Sequence, residues 1–317
     1  MQALTIATRT LHFAAVIALF GEFVFLLYVA DRAFAAVSPP ANAARAAAGR
    51  RTLCVAGWSI AAALVSAVLW LGLEAAEMSG AGMPAALRAE TLATVLERTG
   101  FGRVWALRLG LGVAIALLLL FGRHRMQASQ PLGLATALLA GVLLATLAWA
   151  GHAAGERGAD RVVHLSADAV HLVAAGAWLG TLPGLAWLLA RAREPKDLEP
   201  AAIAARRFSA LGVTSVSALV LTGIANAWYT VGAPASLLGT TYGRLLLMKL
   251  VLVAAMVALA AVNRTRLTPR LASETGIAAA RELRRNAIAE AVFGVAVLAI
   301  VGLLGITVPA VHAHMHM

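Results

Sequence analysis

Cysteine is nearly absent: Cys54 stands alone among 317 residues. No intramolecular disulfide can form, and no CxxC pair exists to build a structural zinc site or a dithiol redox centre. Charge is also scarce, at 13% of residues, about half the share of an ordinary soluble domain, roughly a quarter. Acidic side chains are the rarer sign, with 15 Asp and Glu against 26 Lys and Arg, a net charge of +11. That excess does not describe a nucleic-acid surface, because the basic residues lie between apolar segments with no basic block interleaved with aromatics. No phosphate-binding loop of the Walker type is present, so any transport is expected to run on gradients or on trapping of cargo at the far side. Without a catalytic motif the chain is expected not to be an enzyme. The N-terminus lacks a charged region followed by a short apolar core and a cleavage site, so its first apolar run is expected to be retained.

What is present in quantity is apolar sequence. Hydrophobic residues make up 61% of the chain and mean hydropathy is +0.83. Several runs exceed the roughly 20 residues that cross about 30 Å of hydrocarbon. Lipid offers backbone groups no water, and these runs are too long and too continuous for barrel strands, so helices are the expected solution. The fold class is therefore all-α: a polytopic integral membrane helical bundle of eight transmembrane helices. They fall near residues 5–30, 52–78, 101–122, 131–153, 162–190, 208–231, 243–263 and 287–309. Two four-helix halves follow, 1–155 and 156–310, with a short tail, 311–317.

The connections alternate in charge. Arg32, Arg45, Arg50 and Arg51 lie between spans one and two, and Arg123 and Arg125 between three and four. Arg191, Arg193, Lys196, Arg206 and Arg207 join spans five and six, and six arginines from Arg264 to Arg285 join seven and eight. Basic residues near span ends mark the cytoplasmic side. Both termini are then expected on the periplasmic side of a bacterial inner membrane, with the lipid bilayer as the surrounding partner.

This orientation gives each polar residue a depth. His12, Glu74, Glu77, Met78, His152, His164, Asp168, His171, Asn226, Tyr242 and Lys249 all fall in the outer half of their spans. The inner half is almost bare, with Glu22 past the middle of span one and Asn263 and Glu290 near the edge. An ionisable group at the bilayer centre costs about 2.5–3.5 kcal/mol on insertion scales and usually serves a cavity or a partner. In "HLSADAVHLVAAGAWLG" (164–180), His164 and Asp168 are four apart and Asp168 and His171 three apart, so each neighbouring pair projects from one helix face. His164 and His171 are two turns apart, about 10.5 Å along the axis. They suit two stacked sites, or one site at Asp168 and His171 with His164 at its mouth, with His12 and His152 as ligands from other helices. Imidazole and carboxylate suit Cu(II), Zn(II) or Ni(II). The tail "VHAHMHM" adds His312, His314, Met315, His316 and Met317, mixing nitrogen with soft sulfur in the way that favours copper in both oxidation states.

Plainer roles compete with these. His12 or His152, taken singly, fits a structural hydrogen bond between helices as well as a ligand role. Glu74 and Glu77 fit interfacial water, and Lys249 fits simple neutralisation of a carboxylate. Arg103 and Arg108 suit lipid phosphate or a balance to Glu74 and Glu77. The seven tryptophans read mostly as interface anchors.

The segments "GHAAG" (151–155), "HLSADAVHLVAAGAWLGTLPGL" (164–185), "RRFSALGVTSVSALVLTGIANAW" (206–228) and "TTYGRLLLMKLVLVAAMVALAAVNR" (240–264) together resemble the CopD family of bacterial copper-resistance membrane proteins. The likeness is strongest from about residue 150 to 305; the first four spans share mainly hydropathy and the early "LHF" (11–13). The resemblance implies an inner-membrane protein of copper homeostasis that carries copper from periplasm to cytoplasm. It implies a separate periplasmic copper-binding partner of the CopC type, since no such domain is fused here. It singles out His152, His164, Asp168 and His171, with Tyr242 and Lys249 beside them.

A copper importer or copper-handling protein is thus the leading reading. Two others stand beside it: a membrane b-type haem protein that reduces Cu(II), using an axial pair from His12, His152, His164 and His171, and a delivery factor that binds copper without moving it across. No nucleic acid is expected as a partner.

Overall fold

A computed structural model describes residues 1–37, 41–80, 82, 84, 88–126, 130–151 and 158–311. Eight helices among them are long and apolar enough to cross a membrane: α1 Gln2–Ala35, α2 Asn42–Met78, α3 Gly100–Gly122, α4 Gln130–Ala150, α5 Gly158–Leu189, α6 Pro195–Val231, α7 Thr241–Arg270 and α8 Gly276–Leu304. No strand occurs among the described residues. Several helices overrun their apolar stretches on the arginine-rich face: α2 begins at Asn42, α6 at Pro195 and α8 at Gly276. Backbone hydrogen bonding is indifferent to side-chain hydropathy, so these helices continue as alanine- and arginine-rich turns, both good helix formers. A short amphipathic helix, Ala89–Arg98, which hydropathy does not announce, packs on α3.

The most enclosed helices are α1 and α5, and the least enclosed are α6 and α7. One buried cluster gathers Leu19, Phe23, Trp70, Trp105, Ile115 and Leu144 from α1 to α4. A second gathers Phe25, Val29, Trp178, Leu185, Phe208 and Met256, so α1 belongs to both. Helices α1 and α5 cross at Gly21 and Gly180, where a Cβ on either glycine would overlap the other's backbone. The Thr181 hydroxyl lies 3.4 Å from the Gly21 carbonyl at this crossing. Small residues are what permit such an approach in lipid, where packing and interhelical hydrogen bonds hold helices together. Directly after the crossing α5 breaks at Gly180–Thr181. Pro183 explains the break, since it offers no N–H and its ring would meet the carbonyl one turn back.

Three tryptophans depart from the interfacial expectation. Trp58 and Trp228 are exposed, but Trp70, Trp105 and Trp178 are fully enclosed. Two of these indoles find acceptors, which makes their burial tolerable: Trp70 donates to Glu74 at 2.9 Å and Trp105 to the Ala67 carbonyl at 3.2 Å. Arg108 turns inward. It is buried, donates to the hydroxyl (3.2 Å) and carbonyl of Thr146, and lies over the Trp105 ring.

Candidate metal-handling cavity

Helix α5 presents His164, Asp168 and His171 to a cavity of about 440 Å³ near the face opposite the arginine-rich one. Helix α6 contributes Asn226, and α7 contributes Tyr242 and Lys249. The spacing of three and four residues puts the α5 side chains on one stripe, and the crossing with α1 turns that stripe toward α6 and α7. Apolar residues make up most of the remaining wall, including Val220, Ile224, Leu246 and Leu250.

His171 is held at one nitrogen. Its Nδ1 lies 2.9 Å from Thr222 Oγ1, and that hydroxyl lies 2.6 Å from the Ala218 carbonyl, one turn back. With the hydroxyl proton given to Ala218, Nδ1–H is the donor to Thr222, and Nε2 is left with the lone pair that a metal requires. Asp168 Oδ1 accepts from Asn226 Nδ2 at 3.3 Å, while Asn226 Oδ1 is buried without a hydrogen-bond partner. Lys249 lines the same cavity as Asp168 and His171. His164 also lines the cavity and stacks on Tyr229 with ring centroids 4.7 Å apart and 12° between planes. Tyr242 is buried and hydrogen-bonded with Thr230.

Other candidates lie elsewhere. His12 does not line this cavity: its Nδ1 faces Ser66 Oγ at 3.0 Å and the Ala63 carbonyl at 3.1 Å, and its ring is enclosed by Trp70 and Trp105. One helix turn before it, Arg9 does line the cavity, over the Trp70 ring and donating to the Ala150 carbonyl at 3.3 Å. Glu22 pairs with Arg51 at 2.5 Å toward the arginine-rich face and is joined by the Thr52 hydroxyl at 3.4 Å. Glu74 accepts from Trp70, and Glu77 and Met78 are exposed at the end of α2, away from the cavity. His152 and the tail residues His312, His314, Met315, His316 and Met317 lie outside the described residues. Among the described residues no three His, Cys, Asp or Glu side chains are grouped closely enough to hold a metal ion. Among the described residues the cavity therefore holds no three-ligand cage, and Asp168, His171 and His164 line it together with Lys249.

Sequence reading passed over Arg9, Thr222 and Thr230. Arg9 carried a signal, a charge three residues before His12 in an apolar span. The two threonines carried none, because a hydroxyl in lipid commonly returns to its own helix.

Fold and cavity together define a multi-pass membrane protein with a largely apolar chamber near one face, lined on one side by His164, Asp168, His171, Asn226, Tyr242 and Lys249. Comparison with known families makes this specific. A model described as copper resistance protein D matches residues 202–304, and one described as the N-terminal domain of copper resistance protein D-like proteins matches residues 1–162. The chain belongs to the copper resistance protein D family. It is 34% identical to copper resistance protein D of Pseudomonas syringae pv. tomato, over 98% of this chain and 99% of that one. It is 31% identical to copper transport protein CutJ of Bacillus subtilis (78% of this chain, 44% of that one) and 31% identical to inner membrane protein YebZ of Escherichia coli (86% and 88%). No solved structure matches the chain.

Proposed function

We propose that the chamber is the periplasmic receiving site of a copper importer in a bacterial inner membrane. The observation that carries this reading is the His171 imidazole in the chamber wall, with Nδ1 against Thr222 Oγ1 and one helix turn from the Asp168 carboxylate. With the ring proton on Nδ1, Nε2 is left to bind metal. Nitrogen and carboxylate oxygen together suit copper arriving as Cu(II). The positive-inside rule turns the arginine-rich face to the cytoplasm and the chamber, with both termini, to the periplasm. A CopC-type periplasmic protein would deliver the ion, and the His/Met tail would assist capture. The chain carries copper as cargo and performs no catalytic turnover.

Lys249 has a definite part in this scheme. A bare carboxylate in the membrane is expensive, and the ammonium balances Asp168 while the chamber is empty of copper. The incoming ion takes over that role, so Lys249 must swing away or be repelled, which keeps binding reversible. The haem reading draws less support, because the described histidines lining the cavity, His164 and His171, share helix α5, whereas an axial pair comes from facing helices. Delivery without passage differs from import only in where copper ends. The test is copper uptake by proteoliposomes containing the full chain. Wild type accumulates copper in the lumen, while Asp168→Asn and His171→Ala do not. Copper held by the protein with an empty lumen would establish delivery instead, and equal uptake by all three chains would overturn the site.

A further inference from the structure

A second cavity, of about 230 Å³, lies between α6 and α7 toward the arginine-rich face. Trp178, Val216 and Val257 line both this cavity and the chamber above it, the three side chains common to the two among the described residues. Trp178 is 1% exposed and its indole N–H has no hydrogen-bond partner. A buried indole ordinarily finds an acceptor; this one lies edge to edge with two cavities. At the far end Asn263 lines the second cavity and donates to Glu290 Oε1 at 2.8 Å, while Asn286 donates to Asn263 Oδ1 at 2.7 Å. Glu290 is wholly enclosed, and its Oε2 has no partner. Asn263 also opens a π-helical stretch of α7, Asn263–Leu267, where the regular ladder is loosened.

We propose that the two cavities are successive stations of one cation route along the seam between α6 and α7, with Trp178 as its movable barrier and the Asn263–Glu290 pair as its inner binding station. This rests on the reading of the chamber as a copper-receiving site and extends it to the half of the membrane that the sequence leaves nearly bare. Asn263 and Glu290 offer oxygen ligands, so the inner station holds the ion more weakly than the imidazole-bearing chamber and favours release. The sparse packing between α6 and α7, against the extensive packing of α6 on α5 and of α7 on α8, gives the seam room to open.

Cysteine accessibility tests the route without relying on copper. In a Cys54→Ser background, Ala227→Cys reports on the chamber and Ala260→Cys on the second cavity. A membrane-impermeant cationic thiol reagent is applied to the periplasmic face of right-side-out vesicles. It should label Ala227→Cys and leave Ala260→Cys untouched, and Trp178→Ala should raise labelling of Ala260→Cys to the rate of the chamber reporter. Trp178→Phe, a gentler change, should give an intermediate rate if the alanine variant fails to accumulate. In inside-out vesicles Ala260→Cys should label whatever stands at 178. In proteoliposomes Glu290→Gln should lower copper uptake severalfold with the copper bound in the chamber unchanged. Labelling of Ala260→Cys that ignores residue 178, or Glu290→Gln transport equal to wild type, overturns the route while leaving copper binding at Asp168 and His171 standing. Barrier-dependent labelling in a protein that retains no copper overturns the copper reading and leaves the barrier intact.

Discussion

Replacing Thr222 by Val isolates the feature on which the site depends. Valine has nearly the volume of threonine, so the packing of α6 on α5 is kept, and what disappears is the oxygen 2.9 Å from His171 Nδ1. The Ala218 carbonyl keeps its helical partner and loses only the side-chain bond. The Nδ1–H is then left unpaired in a part-buried setting, at about 1–3 kcal/mol, unless the imidazole rotates or changes tautomer to put its proton on Nε2. Either relief takes the lone pair away from the chamber. Outer partners of this kind are worth about 10–100-fold in metal affinity, or about 1.4–2.8 kcal/mol at 1.4 kcal/mol per decade. Thr222→Ser restores the oxygen and should bind within a few-fold of wild type. The assay is competitive titration of copper against a chelator of known affinity, on a chain ending at Val311 so that the tail does not compete. If Thr222→Val binds as tightly as wild type while His171→Ala loses copper, Thr222 does not set the ring. If all three bind alike, His171 is not a ligand.

Two further outcomes separate structural from functional polar groups. Arg51→Met strands the enclosed Glu22 carboxylate and should lower stability by about 3–5 kcal/mol, because breaking one side of a buried pair leaves a charge uncompensated. The double variant Glu22→Gln/Arg51→Met should recover most of the loss, read as the unfolding midpoint in detergent, and no recovery would mean that the pair is not what holds α1 to α2. His12→Asn, which disturbs the bond to Ser66, should lower stability by about 1–3 kcal/mol and leave chamber copper unchanged; loss of copper without loss of stability would return His12 to the site.

The features legible in the sequence were those encoded within a single helix. Apolar length marks eight spans, and three- and four-residue spacing puts His164, Asp168 and His171 on one stripe, because both depend only on local geometry. Depth along the helix axis also carried information, since it brought Asn226, Tyr242 and Lys249 to the level of that stripe. Rotation about the axis did not. His12 sits at the same depth as the chamber yet faces Ser66, 54 positions along the chain, and no periodicity in a helix apolar all round says which neighbour a side chain meets. The pairing of Glu22 with Arg51 was hidden for another reason: hydropathy starts the second span at residue 52, whereas α2 already runs as helix from Asn42 and carries Arg51 to the carboxylate. Trp178 illustrates the same limit, as sequence alone groups it with the interface anchors until two cavities are seen on either side of it.

The central claim is that copper is bound by the α5 imidazole and carboxylate. X-ray absorption at the copper edge measures this directly on the chain ending at Val311 loaded with one equivalent of Cu(II). The account predicts the outer-shell scattering of a coordinated imidazole in wild type, its loss in His171→Ala, and a shortfall of oxygen ligands in Asp168→Asn. An identical spectrum from wild type and from the double variant Asp168→Asn/His171→Ala would contradict it.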